Sequence, residues 1–226
     1  NSKLRNFDGI LQSAVVLLLT LSVAVIFSTT FDKSGGAIDA LQQSVFALLG
    51  LGLVAVFGVT DYRVFRRTAG VLYFAMVISL LAVKFIGSSA LGAQRWIDLG
   101  IFQFQPSEFS KIVMVIVLAK IFADNQKDIS SRRTFLRSVA YTAVPILLVA
   151  SQPDLGTAMV IGATWLGMAI AAGVPKRFFA ATFGAMAAAF PIMWLFVFRD
   201  YQKNRVLTFI NPANDPLGAG YNVKQA

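Results

Sequence analysis

The chain has 226 residues, 57% of them hydrophobic and 14% charged, with a formal net charge of +9 and a mean hydropathy of +0.69. A soluble domain carries roughly a quarter charged residues, so an ordinary soluble domain is excluded. Cysteine and histidine are both absent, which excludes disulfides, thiol nucleophiles, imidazole bases and the usual zinc ligands. Proton transfer is left to Asp, Glu, Lys or Tyr. The apolar residues fall in blocks long enough to span about 30 Å of hydrocarbon. Spanning segments must satisfy their own backbone hydrogen bonds, so the blocks are helices. The expected fold class is all-α, a polytopic helical membrane protein with about seven transmembrane helices.

In chain order, the first predicted span runs from Gly9 to Phe31. Lys3 and Arg5 precede it, and its length and the lack of a small-residue cleavage site mark a retained anchor. The second runs from Leu41 to Val59 and the third from Ala69 to Ile86, followed by a polar loop, 87–105. The fourth covers Pro106 to Ala123 and the fifth Thr134 to Ala150, bent or loosened at Pro145. The sixth covers Leu155 to Ala172 and the seventh Phe178 to Phe198, with Pro191 inside it. The final segment, 199–226, is a loop, and the whole is one transmembrane domain.

Orientation follows from the basic residues. With the N-terminus in the cytoplasm, the inner segments hold 12 of the 20: Lys3, Arg5, Arg63, Arg66, Arg67, Lys120, Lys127, Arg132, Arg133, Arg137, Lys176 and Arg177. This bias accounts for the positive charge, and nucleic-acid binding is set aside. After the seventh span, Arg199, Lys203, Arg205 and Lys224 all fall outside, against the rule. An anionic ligand or lipid headgroups would account for them.

Three outer segments carry chemistry. The first is Gly92-Ala93-Gln94-Arg95-Trp96-Ile97-Asp98-Leu99-Gly100, leading into Gln105-Pro106-Ser107-Glu108-Phe109-Ser110-Lys111. Pro106 suits the first helical position, where its missing N–H would lack a partner anyway. Glu108 falls in the first turn, where the helix dipole favours an anion, and Lys111 lies on the same face. Structurally this is a capped helix start with a salt bridge. Functionally it places a cation and a carboxylate where ionisable groups are costly and usually face a cavity. If the pair is desolvated, removing one partner costs several kcal/mol, on the order seen for broken buried pairs. The second segment, Gln152-Pro153-Asp154-Leu155-Gly156-Thr157-Ala158, again opens a helix with Gln, Pro and an acid. Asp154 is a cap or a site residue, and the small residues after it suit close helix contact. The third, Asn211-Pro212-Ala213-Asn214-Asp215-Pro216-Leu217-Gly218-Ala219-Gly220-Tyr221, holds Asp215 between rigid turns. It is either a connector or, with the nearby cations, a site for a phosphorylated substrate.

In these stretches, and in Asp200 to Val206, the chain resembles the SEDS family (shape, elongation, division and sporulation proteins), most of all its cell-elongation members. Each motif alone is modest, but the five come in family order. One departure is Asn222, where the family usually has Gln. The resemblance implies a peptidoglycan glycosyltransferase that polymerises lipid II at the outer face of the bacterial cytoplasmic membrane. It implies a partner, a single-pass class B penicillin-binding protein acting as transpeptidase, besides contact with membrane lipids. Family members have further helices, so the chain is expected to be the first seven helices of a longer protein. Carried over, Asp215 matches the family's catalytic outer-loop aspartate, and Arg95, Trp96, Glu108, Lys111 and Asp154 match positions lining its outer cavity.

The donor sugar of lipid II already carries a diphosphate leaving group, so a single base suffices. Asp215 would take the proton from the acceptor 4-hydroxyl. Arg95, Lys111 and Arg205, with or without a divalent cation (Mg²⁺ or Mn²⁺), would stabilise the departing diphosphate. The rival readings are a lipid II flippase and a non-catalytic scaffold. The enzyme is favoured because the polar residues gather at helix ends rather than at midplane. Single cysteines at Ser131→Cys and Asn204→Cys should react oppositely with a membrane-impermeant thiol reagent in cells, only the second being labelled. Equal labelling would overturn the span count.

Overall fold

The computed structural model describes residues 8–31, 36–90, 93–98, 100, 103–196, 203 and 207. They form seven long helices: α1 Gly9–Thr30, α2 Gly36–Val59, α3 Tyr62–Ile86, α4 Pro106–Asp124, α5 Arg132–Ser151, α6 Leu155–Ala171 and α7 Lys176–Phe196. Each sits where an apolar block predicts one. The clearest differences are at the starts of α2 and α3, which begin at Gly36 and Tyr62 instead of Leu41 and Ala69. Asp39, Arg63, Arg66 and Arg67 bar those turns from hydrocarbon but not from being helical. Among the described residues, five helices are long and apolar enough to cross a membrane: α1, α2 from Ala37, α3, α5 and α7. The sixth, α6, has 17 residues, and α4 carries Glu108, Lys111, Lys120 and Asp124 within its 19.

Contacts divide the chain into two compact units, 1–72 and 73–226. In the first, Asp8 caps α1 by accepting from the Ile10 and Leu11 N–H groups at 2.9 and 3.1 Å. The second helix packs against the first, and Gln43 Nε2 donates to Ser22 Oγ at 3.2 Å between them. Interhelical polar bonds of this kind hold apolar helices in register where lipid offers no hydrophobic contrast.

In the second unit α4 packs against both α5 and α6, and these two against each other. Leu80, Val83, Val113, Met114, Leu118, Val149 and Ile161 are fully buried among them, with Ser107, Ser110 and Ser138. The small residues Thr157 and Ala158 of α6 are buried too. Trp165 Nε1 donates to Ser138 Oγ at 3.1 Å, and Ser138 Oγ donates to the Phe135 carbonyl at 2.7 Å, so no polar group of this trio is stranded. Phe135 stacks on Phe178 with ring centroids 4.8 Å apart, tying α7 to α5.

The 87–105 segment, expected as a loop, holds a small antiparallel sheet in the order β1 Ser88–Ala90, β2 Ala93–Asp98 and β3 Gln103–Phe104. Trp96 and Ile97 favour extended backbone, and pairing satisfies N–H and C=O groups that a bare loop would leave to solvent.

Pro145 lies fully buried inside α5 and has no N–H to give the Tyr141 carbonyl four residues back. Tyr73 of α3 fills the gap. Its hydroxyl donates to the Tyr141 carbonyl at 3.1 Å, and the two tyrosine rings lie 4.9 Å apart. A helix-breaking proline is tolerated in a span when a neighbour satisfies the freed carbonyl. Tyr73→Phe should therefore lower thermal stability in detergent by about 1–3 kcal/mol. In a Pro145→Ala background, where the helix bond returns, the same change should cost much less. Equal losses in both backgrounds, read by thermal unfolding, would break the link.

Candidate functional site

The site is built where α4 and α6 begin and α5 ends. Asp154 is the N-cap of α6 and its Oδ1 accepts from the Thr157 N–H at 3.2 Å. Its Oδ2 accepts from Ser107 Oγ at 3.3 Å and Gln105 Nε2 at 3.4 Å, both at the start of α4. One buried carboxylate thus caps one helix and fastens the start of another. Pro106 occupies the first position of α4, as its fixed φ favours. Gln105 also donates to Ser107 Oγ at 3.1 Å, closing the ring of polar groups.

Arg95 reaches this cluster from the sheet. Ser88 pairs with Trp96 and Ser89 with Gln94, so Arg95 is the extra residue of a β-bulge. A bulge re-aims the side chain it carries. The Arg95 guanidinium donates to the Gln152 carbonyl at 3.2 Å and to the Pro153 carbonyl. These carbonyls follow the last turn of α5, where acceptors lack helical partners and a cation is favoured. Gln152 is buried, and its Nε2 donates to the Leu80 carbonyl of α3 at 2.8 Å. Two of the five guanidinium donors are therefore committed to holding the sheet on the α5–α6 turn.

Glu108 and Lys111 form the expected pair: Lys111 Nζ lies 2.9 and 2.8 Å from the two carboxylate oxygens. They do not bond to the Asp154 cluster. Their side chains are 56% and 31% exposed, so the protein does not bury the pair. Facing water, such a pair is worth little; facing lipid, removing one partner costs several kcal/mol. Trp96 lies half-buried on β2 beside Arg95. Arg205 and Asp215 lie outside the described residues.

The structure adds Gln105, Ser107 and Gln152 to the residues singled out from sequence. Their signal was the repeated Gln-Pro ahead of each helix. Among the described residues no group of three acidic, Cys or His side chains could hold a metal ion. Glu108 is engaged by Lys111 and both Asp154 oxygens by N–H or O–H donors, so the described residues do not form a cation site. Chemically the arrangement is a hydrogen-bonded polar cluster at helix ends, with Ser107, Gln152 and Asp154 buried in it.

A family model described as cell cycle protein, covering FtsW, RodA and SpoVE, matches residues 9–226. The chain is 34% identical over 222 residues to the peptidoglycan glycosyltransferase MrdB of Escherichia coli K12, covering 98% of the chain and 59% of that protein. It is 31% identical over 233 residues to stage V sporulation protein E of Bacillus subtilis, covering 97% and 62%. Among solved structures, a chain of a peptidoglycan synthase complex, described as coordinating polymerization and crosslinking, aligns with TM-score 0.76 and 30% identity over 93% of this chain and 62% of that one. The rod shape determining protein RodA of Thermus thermophilus aligns with TM-score 0.61 and 28% identity over 77% and 58%. The chain spans about three fifths of the relatives it matches.

The Glu108–Lys111 pair is testable by a double-mutant cycle. Glu108→Gln and Lys111→Met should each cost little stability, with a coupling energy of about 0.2–1 kcal/mol. A coupling of several kcal/mol in thermal unfolding would show the pair to be desolvated after all.

Proposed function

The chain belongs to the cell cycle protein family of FtsW, RodA and SpoVE, and from that premise we propose that it serves in a peptidoglycan glycosyltransferase. The proposed reaction polymerises lipid II into glycan strands at the outer face of the bacterial cytoplasmic membrane during elongation. The observation that carries the reading is the gathering of Arg95, Gln105, Ser107, Gln152 and Asp154 at one end of the bundle, bonded across a sheet and three helices. A rim of this kind, held by buried bonds, suits positioning of a substrate whose sugar and diphosphate lie at the membrane surface. A transport pathway would call for such groups near midplane.

In the proposed mechanism Asp215 removes the proton from the acceptor 4-hydroxyl as that oxygen attacks the anomeric carbon of the donor. The C–O bond to the diphosphate breaks, the anomeric carbon inverts, and a β-linkage results. Lys111 and Arg205 would neutralise the departing diphosphate, whereas Arg95 acts by holding the rim in place. A divalent cation, Mg²⁺ or Mn²⁺, would add to the charge neutralisation at the diphosphate. The likeness to a synthase complex that polymerises and crosslinks supports a class B penicillin-binding protein as partner.

The purified full-length protein in detergent should polymerise lipid II. Without a sealed bilayer there is nothing to flip, so product formation separates the enzyme from a flippase. Asp215→Asn keeps size and hydrogen bonding but cannot accept the proton, and should lose about 10²–10⁴-fold in rate while the protein still inserts and binds its partner. Asp200→Asn, nearby in the same segment, should be far milder. Near-normal polymerisation by Asp215→Asn would remove this residue from the mechanism.

A further inference from the structure

The turn that joins α5 to α6, Gln152-Pro153-Asp154, carries two energetic costs that joining two helices does not require. Pro153 sits at φ +30°, whereas the pyrrolidine ring holds φ near about −65° in a relaxed chain. Among the described residues it is the only non-glycine residue with positive φ. Glycine adopts that conformation freely, so a plain connector has no need of proline there. Beside it, Gln152 is buried and its Oε1 accepts no hydrogen bond, the only such side-chain atom among the described residues. A buried acceptor without a donor is costly. One cost lies in the backbone and the other in a side chain, and they fall on adjacent residues.

Backbone strain persists only where the surroundings over-determine it. Here the restraint comes from several sides. The Arg95 guanidinium donates to the carbonyls of Gln152 and Pro153. Those two carbonyl carbons are the ends of the Pro153 φ torsion, so one planar group spans the strained bond and fixes it. From α3, the Leu80 carbonyl takes Gln152 Nε2, and from α4, Gln105 and Ser107 donate to Asp154. We propose that this turn is a sprung element of the catalytic cycle, with Arg95 as its latch. When Arg95 leaves the two carbonyls, Pro153 returns to negative φ and Gln152 Oε1 turns to a donor such as water. Because the turn is bonded to α3 and α4, its release loosens the polar cluster as a unit. The proposal rests on the glycosyltransferase reading, since a polymerase must clear its site after each addition and a cluster that opens and recloses permits this.

Hydrogen exchange of the full-length protein in detergent, read on peptides covering 149–158, reports opening of the turn. The Gln152 and Asp154 amides donate to the Val149 carbonyl and the Thr157 amide to Asp154 Oδ1, so these amides exchange when the turn opens. Pro153→Gly removes the strain from the latched form and should slow this exchange about tenfold. Added chain freedom alone would speed it, so the direction is diagnostic. Arg95→Lys keeps the charge but loses the planar fork, and should speed exchange about tenfold. Despite its steadier turn, Pro153→Gly should polymerise lipid II about tenfold more slowly, whereas a plain connector would lose nothing. Unchanged or faster exchange in the glycine variant would overturn the sprung turn, and unchanged exchange in Arg95→Lys would overturn the latch. Slowed exchange with undiminished polymerisation would make the strain idle and defeat the proposal as well. Inactivity of the unsubstituted protein would count against the glycosyltransferase reading instead, and the exchange rates would still judge the turn.

Discussion

The Asp154 carboxylate is the point on which the polar end of the second unit turns. It is buried, and N–H and O–H donors surround it: a backbone N–H of its own helix, a serine hydroxyl and a glutamine amide of another. A buried charge is expensive unless hydrogen-bonded, and here the donors come from groups that would otherwise be orphaned at helix starts. The same carboxylate therefore fixes where α4 and α6 begin relative to each other. Because only Gln152, Pro153 and Asp154 separate α5 from α6, it also fixes where α5 ends. Arg95 reinforces this from the sheet by binding the two carbonyls just before Asp154.

That arrangement gives the proposed chemistry a physical setting. Both α4 and α6 present their N-termini at this end, so their dipoles place partial positive charge there. Asp154 answers one of them, and Glu108, held by Lys111, stands in the first turn of the other. Lys111, already held in place by Glu108, would meet an approaching diphosphate with little reorganisation at the moment of reaction.

The helices were legible in the sequence because hydrocarbon imposes a minimum length of apolar residues and a closed hydrogen-bond ladder. The role of Asp154 as a cap was legible too, since Pro ahead of an acid and a small-residue run is a local pattern. What was not legible is non-local. Nothing near Pro145 in the chain announces that Tyr73 will supply its missing bond. Ala93 to Asp98 is too short and too near glycines for its alternation to stand out, and the bulge that re-aims Arg95 depends on register with Ser88 and Ser89. Gln105, Ser107 and Gln152 carry no charge, and nothing local in the chain marks them as partners of Asp154 or Leu80. The pairing of Glu108 with Lys111 followed from spacing alone, while its exposure depended on which face of α4 its neighbours cover.

The shortness of α6 has a consequence for the lipid around it. Seventeen residues rise only about 26 Å, less than the roughly 30 Å of hydrocarbon in a typical bilayer. Met159, Val160 and Ile170 on this helix are exposed, apolar surface for lipid or further helices to cover. Asp154 before one end and Lys176 beyond the other resist being drawn inward. Where lipid meets α6, the membrane would thin to match it, at a cost of a fraction of a kcal/mol per Å. A dimple at this spot would lower the headgroups of neighbouring lipids toward the level at which α6 begins.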